Sequence, residues 1–166
     1  LDDGIMLRRG QLRLGVDYAS ESWREYWEGT LRRTNENIGT LTTQSTVLSL
    51  GYGAHKRLSA FATLPYVQTN ANAGVLSGMQ GMQDVTVGLK ARLFEITPTS
   101  RTTLRATALV GGGLPVSNYT PDFLPMSIGL GARHARTRAA LDLQDKSNFF
   151  AGVSAGYVWR SIVSLV

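Results

Sequence analysis

The sequence predicts an all-β fold built from long antiparallel strands, and three observations lead to this prediction. Between residues 84 and 93 every odd position is apolar and every even position is polar or glycine, which is the two-residue period of a strand with unlike faces. Eighteen glycines separate or interrupt such segments, as is common in β proteins. Charged residues make up only 17% of the chain, below the roughly 25% usual in soluble domains.

The first half of the chain contains four alternating segments after a lead-in at residues 1–10. The predicted strands are 11–18, 44–54, 58–68 and 84–94. Long polar loops at 21–43 and 69–83 follow the first and third strands, and a tight turn at 55–57 follows the second. Pro65 lies within the third segment, where it predicts a bulge or the strand's end because proline cannot donate to a ladder.

The second half repeats the pattern with four more segments. The predicted strands are 103–110, 126–133, 138–144 and 149–160. Three glycines at 111–113 are expected to end the fifth strand, and the loop 114–125 follows. Residues 161–166 are interpreted as the start of a ninth strand.

Two regularities of these segments predict the architecture. The connections after strands one, three and five are long and those after strands two, four and six are short, as in barrels whose two ends face different compartments. A strand of roughly ten residues is long enough to cross a bilayer when tilted. The fold class predicted is therefore all-β, a transmembrane antiparallel up-and-down β-barrel with at least 8 strands in this chain.

The alternation assigns residues to the two sides of the predicted wall. Charged residues on the polar side are expected to line the lumen: Arg13, Asp17, Asp84, Lys90, Arg92, Arg105, Arg133, Arg138 and Asp142. These charges either give a cationic lumen that prefers anionic or polar solutes, or form salt bridges that brace the wall. Apolar residues of the other side are expected to face lipid: Leu14, Val16, Leu48, Leu50, Val85, Val87, Leu89, Leu104, Ala108, Ile128, Leu130 and Val153.

A soluble up-and-down barrel of the lipocalin type, with the apolar side inward, has the same alternation. Three features favour the membrane barrel. The strands are long, the polar side is rich in glycine, serine and threonine rather than lysine and glutamate, and aromatic residues gather near the strand ends.

Residues for chemistry are sparse. The chain has no cysteine, and its two histidines, His55 and His134, are far apart and lack partners at ligand spacing. We therefore expect no metal site, no cofactor and no enzymatic activity. The net charge is +5, but arginine and lysine are scattered, mostly one per strand, rather than clustered with aromatic residues, so nucleic acid is not an expected partner.

Several segments resemble one known family. They are WREYWEGT at 23–30, NIGTLTTQS at 37–45, LPY at 64–66, GMQDVTVGLK at 81–90 and GYVWRS at 156–161. These residues resemble outer-membrane proteins of the meta-pathway phenol-degradation transporter family. The resemblance implies a barrel in the outer membrane of a Gram-negative bacterium, with uptake of hydrophobic or aromatic compounds and no catalytic residues. Members of that family are longer than this chain.

The barrel is expected to form a single domain over residues 1–166, continued beyond its C-terminus. Residues 161–166 begin a further strand, and Val166 is not the terminal aromatic residue usual in bacterial barrels. A complete barrel of ten to twelve strands is consistent with this expectation.

The main functional hypothesis is an outer-membrane channel for passive passage or binding of small, hydrophobic or aromatic molecules, with outer-membrane lipid as its surroundings. The alternative is a membrane-anchored structural barrel whose loops 21–43, 69–83 and 114–125 dock a partner protein. A soluble lipocalin-like binder is the third hypothesis.

Overall fold

The computed structural model describes residues 6–75 and 78–163, and in this part of the chain the fold is all-β, with 66% strand and no helix. The ten strands are β1 (Leu12–Trp23), β2 (Glu25–Glu28), β3 (Leu31–Thr34), β4 (Leu41–His55), β5 (Leu58–Ala71), β6 (Met79–Met82), β7 (Asp84–Ile96), β8 (Thr102–Pro115), β9 (His134–Asp145) and β10 (Phe150–Arg160). Among the described residues no helix is long and apolar enough to cross a membrane.

Seven long strands form one antiparallel sheet in the order β1-β4-β5-β7-β8-β9-β10, and the short β6 adds to β5. Strands β2 and β3 form a separate hairpin. The predicted all-β antiparallel fold is therefore confirmed. Closure into a barrel is not shown, because within the described residues β1 and β10 are the two edges of the sheet.

The predicted sixth strand, 126–133, is wrong. No strand forms between Pro115 and His134, and β8 instead pairs directly with β9 from Gly113↔His134 to Thr102↔Asp145. Because β7 and β9 pair with the two edges of β8, no free edge of β8 is left for this segment to pair with. Gly131, in the left-handed region at φ 64°, also departs from extended backbone.

Other boundaries differ from the predicted ones in ways that the pairing explains. The glycines 111–113 continue β8, because β7 and β9 pair on either side of them. Pro65 lies inside β5, where the pairing with β7 ends at Thr63 and the pairing with β6 begins at Tyr66. Across this gap the three residues 83–85 lie opposite the two residues Leu64 and Pro65, so the ladder has an irregularity of the predicted bulge type, at which the missing N–H of Pro65 is tolerated. The strand does not end there.

Three predicted features fall at least partly outside the described residues. Residues 161–163 are not strand, and 164–166, the rest of the predicted ninth strand, lie outside the described part. The same holds for residues 1–5 of the lead-in and for 76–77 of the loop 69–83. Within that loop, β5 extends to Ala71 and β6 covers residues 79–82.

The buried apolar cluster lies at the end of the sheet where the long connections are. Ile38, Leu41 and Met126 form it, with Ala71 and Phe123 packed against them. Leu41 and Ala71 are paired at the ends of β4 and β5, and Met126 belongs to the segment 116–133. The long connections therefore pack together, while the short turns 56–57, 97–101 and 146–149 lie at the opposite end.

Candidate functional site

The two faces of the sheet differ sharply in chemistry and exposure. One row across all seven strands runs Leu14, Leu50, Ala62, Val87, Gly112, Ala135 and Trp159. We call this side the apolar face, and Val87 on it is 53% exposed. The opposite side, the polar face, carries Ser59, Lys90 and Thr107, all buried. On the central strands, exposure is thus the reverse of that expected for an apolar core under a solvated surface, although buried Phe61 and Leu109 also lie on the polar face. On the edge strands β1 and β10 both faces are exposed.

Most sequence-predicted residues lie on the expected faces. The polar face carries eight of the nine charged residues: Arg13, Asp17, Asp84, Lys90, Arg92, Arg105, Arg138 and Asp142. The apolar face carries ten of the twelve apolar residues: Leu14, Val16, Leu48, Leu50, Val85, Val87, Leu89, Leu104, Ala108 and Val153. Their assignment to lumen and lipid remains a prediction.

The three remaining residues were placed on the predicted sixth strand and belong to neither set. Ile128 is only 3% exposed, with its Cδ1 atom next to Gly81, so it does not share the exposed apolar face. Leu130 is 63% exposed but lies in irregular backbone. Arg133 is an exposed residue next to β9, where its backbone N–H donates to Ser161 Oγ at 3.0 Å.

A charged network at the short-turn end of the polar face includes one residue that the alternation did not identify. Glu95 Oε2 accepts hydrogen bonds from Arg92 Nη1 at 2.8 Å and Arg105 Nε at 2.7 Å. By parity with Leu93, Glu95 would lie on the apolar face. The register shift between Arg92 and Phe94 inserts one residue and moves Glu95 to the polar face.

A second residue that the alternation did not identify is Arg136, which lies between the predicted sixth and seventh strands. Its guanidinium lies over the Phe61 ring, 5.5 Å from the centroid. Gly88 and Gly111 separate the two residues across the sheet, and the Phe61 ring lies over them. The glycine pair provides room for the ring, and the signal available in the sequence was the shared parity of Arg136 and Arg138.

Next to these glycines, the polar face contains a recess of about 290 Å³. Its lining includes Lys90 of β7, Thr107 and Leu109 of β8, Arg138 and Asp142 of β9, and Ser154 of β10. Arg138 Nη2 donates to Ser154 Oγ at 3.0 Å. Four neighbouring strands therefore contribute side chains to one concave polar site.

The segment 116–133, which we call the inward segment, lies against the polar face at the long-connection end. Tyr119 Oη donates to Asp84 Oδ1 at 2.5 Å and accepts from the Gly131 backbone N–H at 2.9 Å. Thr69 Oγ1 of β5 donates to the Met126 carbonyl at 2.7 Å. Two strands thus hold this segment over the same face that carries the recess.

Tyr119 is the ionisable group of the inward segment that its surroundings perturb most clearly. Burial raises the pKa of Tyr119 to about 12, and the hydrogen bond to the Asp84 carboxylate acts in the same direction. Deprotonation would bring two negative oxygens together, so the neutral phenol is favoured. Tyr119 is therefore a donor to Asp84 throughout the physiological pH range.

Groups for metal chemistry do not come together in the described part of the chain, where no cluster of three or more histidine, aspartate or glutamate residues suits an ion. The arrangement offers charged groups, hydroxyl groups and a concave surface.

Comparison with known proteins does not add an assignment. No family model matches the chain. No curated protein matches it, and no solved structure does.

Proposed function

We propose that the sheet is the wall of a transmembrane β-barrel in a bacterial outer membrane, and that its polar face serves passive passage or binding of small molecules. The observation that carries this proposal is the reversed exposure of the two faces. On the central strands, apolar side chains such as Val87 and Val110 are more than half exposed, while Lys90 on the other face is buried. Soluble monomers rarely expose apolar patches larger than a few hundred Å², whereas a bilayer covers such a face.

The strand lengths agree with this proposal. The seven long strands have between 11 and 15 residues. A tilted strand of about 9–11 residues crosses the hydrocarbon core. All long connections leave from one end of the sheet and all short turns from the other, as in barrels with short periplasmic turns.

The strand directions specify what closure would require. Because all neighbours in the sheet are antiparallel and seven long strands form it, β1 and β10 run in the same direction. Direct pairing of β1 with β10 would be parallel, while bacterial barrels have an even number of antiparallel strands. An all-antiparallel barrel therefore needs an odd number of further strands between these two edges. One, three or five further strands would give a barrel of eight, ten or twelve strands.

The resemblance to phenol-degradation transporters suggests hydrophobic or aromatic solutes, but no family model matches the chain. The exposed apolar face and the strand lengths of the sheet support passage, and hydrophobic or aromatic solutes are the first to test.

A matched pair of substitutions on β7 tests the membrane assignment. Val87→Arg places a charge on the apolar face, and Thr86→Arg places the same charge on the polar face one residue away. Arginine at the bilayer midplane costs about 2–4 kcal/mol in barrels. We expect Val87→Arg to reduce the folded fraction in lipid vesicles, measured by the heat-dependent gel shift, and Thr86→Arg to fold like the wild type. Equal folding of both variants would contradict the membrane assignment.

Passage is tested on the same vesicles by osmotic swelling in sugars of increasing size. Swelling that depends on the folded protein supports the channel. Correct insertion without swelling by any sugar would refute passage and favour the anchoring alternative.

One observation favours that second candidate function, a barrel whose loops dock a partner protein. Every residue of the β2–β3 hairpin is exposed, including Trp27 at 68%. Salt bridges between Arg32 and Glu25 and between Arg33 and Glu28 connect its two strands. Of the three loops expected to dock partners, 21–43 thus presents an ordered exposed surface, whereas 114–125 contributes much of its length to the inward segment.

A further inference from the structure

We propose that the recess on the polar face is a binding site for a small monoanionic carboxylate, held between Lys90 and Arg138. This proposal rests on the proposed function, because it makes the recess the place where a passing solute is selected.

The register brings the two cations to suitable positions. Lys90 and Arg138 both pair with Leu109, from opposite sides of β8, so they lie in one row on the same face. Neighbouring strands are about 4.8 Å apart, which places the two Cα atoms about 10 Å from each other. The long side chains can therefore approach opposite oxygens of one carboxylate lying over Leu109.

The charge of the recess matches a monoanion. Its charged lining residues are Lys90, Arg138 and Asp142, an excess of one positive charge. A carboxylate would balance this excess, whereas a phosphate, with a charge of about −1.5 to −2 at pH 7, would exceed it. Lys90 is only 7% exposed, and shielding from water strengthens its attraction for an anion.

The neutral lining adds further selectivity. Thr107 and Ser154 bring hydroxyl groups that can donate to carboxylate oxygens, and buried Leu109 offers an apolar contact. The volume of about 290 Å³ is at the low end of the roughly 300–1,000 Å³ of ligand pockets, which favours a short carboxylic acid over a large one. Lys90 and Arg138 also make other contacts in the protein, so the ligand would join or displace these contacts.

Titration with sodium propionate and with propionamide tests the proposal. The two probes share size and shape, but only propionate is charged. Saturation-transfer difference NMR on the full chain in detergent micelles, at constant ionic strength, measures both affinities. We expect the wild type to prefer propionate, and Lys90→Gln with Arg138→Gln to weaken propionate binding about tenfold or more, since one charge-assisted hydrogen bond contributes about this factor.

The control double variant is Lys56→Gln with Lys146→Gln. It removes the same charge from exposed residues of the short turns and should bind propionate like the wild type. Asp142→Asn provides a change in the opposite direction, because it removes the negative charge of the recess. It should bind propionate several-fold more tightly, a gain that misfolding cannot produce.

Equal affinity for propionate and propionamide would overturn the proposal, and so would equal weakening in the recess and turn variants. Vesicle swelling separates this result from the proposed function. Swelling without propionate preference refutes the carboxylate site alone. Propionate preference without any swelling supports the site and refutes passage.

Discussion

Tyr119→Phe tests whether the inward segment is held against the sheet by the hydroxyl group of the half-buried Tyr119. The substitution keeps the ring and removes the atom that donates to Asp84 Oδ1 and accepts from the Gly131 N–H. A hydrogen bond to a charged group contributes about 1.5–3 kcal/mol, and an unsatisfied buried N–H costs about 1–3 kcal/mol. Tyr119 and Asp84 are only half-buried, so water can replace part of the lost hydrogen bonding. We therefore expect the free energy of unfolding to fall by about 2 kcal/mol.

Equilibrium unfolding in urea, with the protein in lipid vesicles, measures this loss. The midpoint should fall while the slope with urea stays unchanged, since the surface exposed on unfolding is the same. Tyr157→Phe is the matched control, because Tyr157 is exposed on the apolar face of β10. If Tyr119→Phe and Tyr157→Phe shift the midpoint equally, the phenol does not hold the inward segment.

The pH dependence gives the same test an independent readout. The pKa of Tyr119 is raised from 10.0 to about 12, so the folded protein holds this proton more tightly than the unfolded chain. Its stabilising contribution is fully present below pH 10 and is lost as the pH rises towards 12. The stability difference between wild type and Tyr119→Phe should therefore shrink over that range. A difference that stays constant from pH 9 to about pH 12 would contradict the assigned hydrogen bond.

Two further predictions concern packing, and the same unfolding measurement checks them. Met126→Ala should lower the free energy of unfolding by about 2–5 kcal/mol, because Met126 is fully buried. The control Leu130→Ala should change it by less than about 0.5 kcal/mol, because Leu130 is exposed. Similar losses in the two variants would mean that the inward segment is not packed as described. Gly88→Ala should lower the free energy of unfolding by about 1–3 kcal/mol, because the added Cβ would lie 2.5 Å from Phe61 Cζ and 2.7 Å from the Val110 carbonyl oxygen. Unchanged stability would show that the Phe61 ring can move away freely.

The two-residue period predicted the long strands and the residues on each face, because it follows directly from strand geometry. It could not locate the place where the period breaks. In β7 the register shift between Arg92 and Phe94 reverses parity for the last residues, and this shift brings Glu95 to Arg105. A bulge leaves only a doubled apolar residue in the sequence, Leu93 followed by Phe94, which the end of a strand also explains.

The inward segment shows a second limit of prediction from the local sequence pattern. Met126, Ile128, Leu130 and Ala132 alternate with polar or glycine residues just as a strand would, but three of the four are buried against other parts of the chain. Whether an alternating segment becomes a strand depends on a free edge to pair with, and β9 occupies the edge of β8 that this segment would need. Availability of an edge depends on the whole sheet, so local pattern could not reveal it.

Long and short connections alternate more regularly between the observed strands than between the predicted ones. In the sequence-based scheme of eight strands, the loop 114–125 after the fifth strand is long, and the connections after both the sixth and the seventh strands are short. With the observed strands, the long connections follow β1, β5 and β8, and the short turns follow β4, β7 and β9. The alternation therefore persists, and the longest irregular connection, 116–133, now lies at the same end as the others. Its hydrogen bonds with Asp84 and Thr69 place this connection over the polar face at that end, whereas the Lys90–Arg138 recess is lined by strand residues.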